Sequence, residues 1–84
     1  MPELDTQERA RLSDDDFAYI DGDGERHLPI NDDDHVRNAL ARFRMVVFES
    51  QGSKARAARR IIAAARRRGI FVDEHDDVVR AAQG

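Results

Sequence analysis

The stretch "SKARAARRIIAAARRRGI", residues 53–70, constrains the fold more than any other part of the chain. At 100° per residue, Ala58, Ile61, Ile62 and Ala65 fall on one side of a helix, and Arg56, Arg59, Arg60, Arg66 and Arg67 fall on the other. Alanine favours helix and permits close helix–helix approach. Ser53 suits the N-cap. Arg66 to Arg68 suit the negative end of the helix dipole. Gly69 is placed for a left-handed C-terminal stop, with Ile70 folding back on the last turn. A helix over 53–68 with one apolar face needs a partner to cover that face.

The partner precedes it. From Asn31 the spacing turns helical, with Val36, Ala39, Leu40, Phe43, Val46 and Val47 recurring at three and four. Asn31 or Asp32 caps this segment, and Asp33 and Asp34 place negative charge at its N-terminus. The spacing predicts helix over 33–49, broken by "SQGS". The expected core is Val36, Leu40, Phe43, Val47, Ala58, Ile61, Ile62 and Ala65, closed at its ends by Phe17, Ile30, Ile70 and Val72.

Upstream, "SDDDFAYI" and "ERHLPI" flank the turn signal "DGDG". They form a small hairpin or an ordered loop, with Pro29 confining the second piece to an edge. Downstream, "IFVDEHDDVVRAAQ" gives an extended piece and a short helix capped near Asp73, with Val78 and Val79 as its apolar residues. The expected class is mainly α: an antiparallel helix pair, an extended, turn-rich N-terminal segment and a short C-terminal helix. Residues 1–12 read as a flexible polar N-terminus, and 13–84 as one small domain with its core in 17–72.

Charge is segregated along the chain. Residues 1–34 hold twelve acids and three bases, residues 35–72 ten bases and one acid, and residues 73–84 four acids and one arginine. Either the acidic flanks fold over the basic helix, pairing it to Asp14–Asp16, Asp32–Asp34 and Asp76–Asp77, or the basic face is left open for an anionic partner. A net charge of −3 gives little long-range steering toward nucleic acid, which favours internal pairing. The chain has no cysteine, which removes disulfides and thiolate chemistry and fits a cytoplasmic setting. "MPELDTQERARL" has neither the basic start nor the apolar core of a signal peptide, and no apolar run reaches a membrane span of about 20 residues.

No catalytic or metal set emerges. A calcium-hand register with Gly24 sixth puts Tyr19 first and Ile30 twelfth; one starting at Asp21 puts Arg26 at the glycine position. Both fail. His27, His35 and His75 lack metal-ligand spacing, and no cofactor motif is present. His35 directly follows three aspartates. Oriented by Asp32 or Asp33 it would be a general base; without a nucleophile or second catalytic group it is a first-turn residue bonding locally. The basic run 54–68, seven bases and no acid, is the strongest surface signal. Phosphate contacts by Arg56, Arg59, Arg60, Arg66 and Arg67 would make it a nucleic-acid face. That run carries no aromatic residue to stack on bases and no Asn or Gln to read them.

"FAYIDGDGERHLPINDDDHVRNALARFRMV" followed by "KARAARRIIAAARRRGIFV" resembles a family of small uncharacterised domains, found as stand-alone bacterial and phage proteins and appended to phage head-maturation (prohead) proteases. The resemblance rests on Phe17, Ala18, Pro29, Ile30, Asp32, His35, Val36, Arg37, Asn38, Ala39, Ala41, Arg42, Gly69 and Ile70, and it covers about residues 17–72. It implies an accessory or binding role and brings no catalytic residues. The resulting expectation is a non-catalytic interaction module with a protein partner, and an accessory nucleic-acid binder as the alternative. Capping requires neither His35 nor Asn38, so His35, Arg37 and Asn38 are the candidate specific contact.

Overall fold

The structure, a computed structural model, describes residues 11–84. The expected polar arm over 1–12 falls almost wholly outside the described residues. A single 3-10 turn at Asp14–Asp16, capped by Ser13, leads into strand β1, Phe17–Ile20. Strand β2, Arg26–Pro29, returns antiparallel, pairing Phe17 with Pro29, Tyr19 with His27 and Ile20 with Arg26. Of the two forms open to "DGDG", the hairpin is the one observed. Gly24 N–H donates to the Asp21 carbonyl and Asp21 N–H to the Glu25 carbonyl, and Gly24 sits at φ 84°, a left-handed conformation that glycine adopts without strain. Leu28 is also left-handed, at φ 58°, within β2. Burial of its side chain holds it there against a cost of about 1–2 kcal/mol.

Helix α1 spans Asp33–Arg42, and its N-cap Asp32 accepts the backbone N–H of His35. Helix α2 spans Gln51–Arg67, and helix α3 spans Asp77–Ala82. Around α2 are α1, β1 and α3, so it is buried on more than one side. Ala57 and Ala64 therefore join Ala58, Ile61 and Ala65 in the core, with Phe17, Phe43, Val36 and Val78 as its large buried members. Full burial of such side chains is worth about 1.5–3 kcal/mol each. Ile30 is buried as expected, while Leu40, Ile62, Ile70 and Val72 are half-buried and pack against the core.

Three boundaries differ from the periodicity. Helix α1 does not run to residue 49: it ends at Arg42 and tightens into a 3-10 turn, Phe43–Met45, after which the chain is extended at Val46. Phe48 is drawn onto Tyr19 and Phe43, with ring centroids 4.8 and 5.2 Å apart, and a continuing helix would not place it there. Val47, expected in the core, is thereby turned outward and is 91% exposed. The N-cap of α2 is Ser50 rather than Ser53; its hydroxyl oxygen accepts Ser53 N–H at 3.1 Å. Helix α3 is capped by Asp76 rather than Asp73, its side chain accepting Val78 N–H. The other end of α2 follows the sequence. Gly69, at φ 69°, donates to the Arg66 carbonyl, and Ile70 N–H reaches back to the Ala65 carbonyl at 2.8 Å.

Candidate functional site

Helix α2 carries the candidate site on its outer side. Arg56, Arg59, Arg60, Arg66 and Arg67 are all exposed, on a stripe that runs about 17 Å along the axis at 1.5 Å per residue. Of the expected pairing between the basic run and the acidic flanks, the structure shows one instance, Arg68 with Asp33. Arg26 pairs with Asp14, Arg37 with Asp34 and Arg68 with Asp33; none of the five stripe arginines pairs with a carboxylate among the described residues. Several of the acids are engaged elsewhere. Asp14 meets Arg26, Asp16 caps with Ser13, Asp32 meets His35, and Asp76 caps α3. Two stripe arginines are tethered by backbone carbonyls, which leaves their charge uncancelled. Arg59 Nε donates to Ala82 O at 3.0 Å, and Arg60 Nη1 donates to Phe17 O at 3.2 Å.

His35, Arg37 and Asn38 do not converge. On α1, Arg37 lies about 160° from His35 around the axis and Asn38 about 60°. His35 is turned into the core, its side chain 7% exposed, and Nδ1 lies 2.7 Å from Asp32 Oδ1. Its other ring nitrogen, Nε2, is buried without a hydrogen-bond partner. A base must reach its substrate's proton, and this nitrogen is shut off from solvent. Burial raises the Asp32 carboxyl, but the N–H and ring of His35 together with the charges of His35 and Arg68 hold it below its ordinary value. The pair is a reinforced helix cap.

The sequence reading missed two arrangements. Asp21, Glu25 and His27 come together at the hairpin tip, their ligating atoms within 4.8 Å of one another. The signal was an aspartate opening a glycine turn. Asp21 Oδ1 accepts the N–H groups of Asp23 and Glu25, and Oδ2 lies 2.9 Å from His27 Nε2. The His27 contact leads the effects that lower the Asp21 carboxyl. The second is an exposed aromatic. Phe71, just beyond the Gly69 stop, is 84% exposed at the arginine-rich end of α2.

Among the described residues, no helix is long and apolar enough to cross a membrane. The sequence matches, over residues 3–75, a family described as a family of unknown function (DUF6582). That span includes the whole of the 17–72 region whose resemblance to an uncharacterised small domain is read from the residues. No curated protein and no solved structure matches.

Proposed function

For this chain, which belongs to the DUF6582 family of unknown function, we propose a non-catalytic interaction module that docks the arginine face of α2 onto an acidic protein surface. The observation that carries this reading is the set of exposed arginines without carboxylate partners among the described residues, in a chain with seventeen acids. Clustered like charge on a helix costs stability. A bound acidic surface would offset that cost. Arginine also suits such a surface, because its planar fork pairs bidentately with carboxylates. The resemblance to segments appended to head-maturation proteases supports a phage-assembly setting for the partner.

Nucleic acid is the second reading, favoured by Phe71, whose ring stands free to stack on a base beyond Arg67. The acid at the end of the face counts against it. A strand tracking the face toward its C-terminal end meets Asp33, exposed and paired with Arg68. An acidic patch of limited length fits short of it. Fluorescence anisotropy against a labelled glutamate-rich peptide and a labelled single-stranded oligonucleotide, each at two salt concentrations, separates the readings. The proposal expects the peptide to bind more tightly at low salt, with loss in Arg66→Glu/Arg67→Glu and no effect of Phe71→Ala. Tighter oligonucleotide binding that falls in Phe71→Ala overturns it in favour of nucleic acid, and binding of neither probe removes both.

A further inference from the structure

Between β1 and the first half of α2 lies a concavity of about 110 Å³ lined by Ala18, Tyr19, Ile20, Ser53, Arg56 and Arg60. Ser53, Arg56 and Arg60 stand three and four residues apart on α2, so their side chains share one face. Every side chain of this wall offers a hydrogen-bond donor, and no carboxylate lines the space. The Ser53 hydroxyl oxygen already accepts the Ser50 hydroxyl at 3.1 Å, which leaves its own O–H to donate outward. Arg60 is fixed by the Phe17 carbonyl through Nη1, and the rest of its fork remains available. Arg56 makes no ion pair among the described residues. The opposite wall is formed by Ala18, Tyr19 and Ile20 of β1.

We propose that this concavity binds a single oxyanion group, a carboxylate or a phosphate, held by Arg56, Arg60 and Ser53. It rests on the arginine-face reading, for which it supplies the anchor: one acidic group of the partner enters here while Arg66 and Arg67 make looser surface contacts. Preorganisation separates the two ends of the stripe. Arg60 is tethered and Ser53 is oriented by the cap, so less side-chain freedom is lost on binding than at the helix C-terminus. Charge-assisted bonds of this kind are the strong ones.

The test is an NMR titration of the full chain with sodium phosphate and, separately, sodium acetate, at ionic strength held constant with chloride. The Ser53 amide and the arginine Nε–Hε signals are the readout. The expected result is a saturable shift at Ser53, Arg56 and Arg60 with at least one anion, and only small, non-saturating shifts at Arg66 and Arg67. Saturation by phosphate alone identifies a phosphorylated ligand; saturation by acetate identifies an acidic side chain. Arg56→Gln should weaken the anion about tenfold, while Arg66→Gln leaves it unchanged. Uniform, non-saturating shifts across all five arginines overturn the pocket. The glutamate-rich peptide binding in that case shows that the face reading survives, and a saturating pocket with no peptide binding shows the reverse.

Discussion

Asp32 does two jobs with one carboxylate. Oδ1 accepts both the backbone N–H of His35 at 2.8 Å and the His35 ring at 2.7 Å, which closes the first turn of α1 and positions a buried imidazole. Asp32→Ala should cost about 1 kcal/mol from the cap alone, read as a Tm lower by about 4–8 °C. Because the folded-state carboxyl of Asp32 titrates below its unfolded value, its contribution is complete above about pH 4 and is lost as pH falls through the folded value. The acid limb of wild-type stability should therefore shrink in Asp32→Asn. An unchanged acid limb counts against this coupling. Phe43, 1% exposed and packed against Phe48 with its ring tilted, is the residue whose truncation should unfold the domain. Phe43→Ala removes about 3–5 kcal/mol, a large share of what 84 residues hold. Val47→Ser, at an exposed site, should leave the melt within about 0.5 kcal/mol of wild type.

The elements were legible in the sequence where their signals are local. The end of α2 is set by glycine conformation and by the Gly69 and Ile70 backbone bonds, all within five residues, so the sequence states it. The cap at Asp32 and the turn at Gly24 are equally local. The end of α1 is not. Its three-and-four spacing continues through Val46 and Val47, but distant contacts override it. Glu49 ties the connector to the hairpin tip: Tyr19 Oη donates to Glu49 Oε1 at 3.2 Å, Gly22 N–H donates to the same oxygen at 2.7 Å, and Glu49 N–H donates back to Tyr19 Oη at 3.3 Å. Burial and the Glu49 carboxylate raise the Tyr19 phenol, against a lowering by the Glu49 N–H. Glu49→Ala should release the connector, lowering Tm by about 4–8 °C and raising amide exchange at Val46 to Ser50. Exchange that stays at the wild-type level would show that Phe48 alone holds it.

At the scale of the whole molecule the deciding quantity is where the charges go. Composition gives an acidic, a basic and an acidic segment, and it leaves open whether they meet. That depends on which side of α2 is buried and on which acids are already committed, both of them tertiary facts. In the fold Asp16, Asp21, Asp32 and Asp76 serve as caps and turn braces, Asp14, Asp33 and Asp34 pair with Arg26, Arg68 and Arg37, and the five stripe arginines keep no carboxylate partner among the described residues. Arg56 is the clearest probe. It lies in the first half of α2, where positive charge opposes the dipole, and it is three and four residues from Arg59 and Arg60. Arg56→Glu therefore replaces repulsion with attraction along the helix. A thermal melt of Arg56→Glu at low ionic strength tests the central claim most directly. An open arginine face predicts a Tm raised by about 2–6 °C, with binding of the glutamate-rich peptide lost in the same variant. A Tm lowered by that amount would mean that Arg56 is already paired within the fold, and would contradict the account.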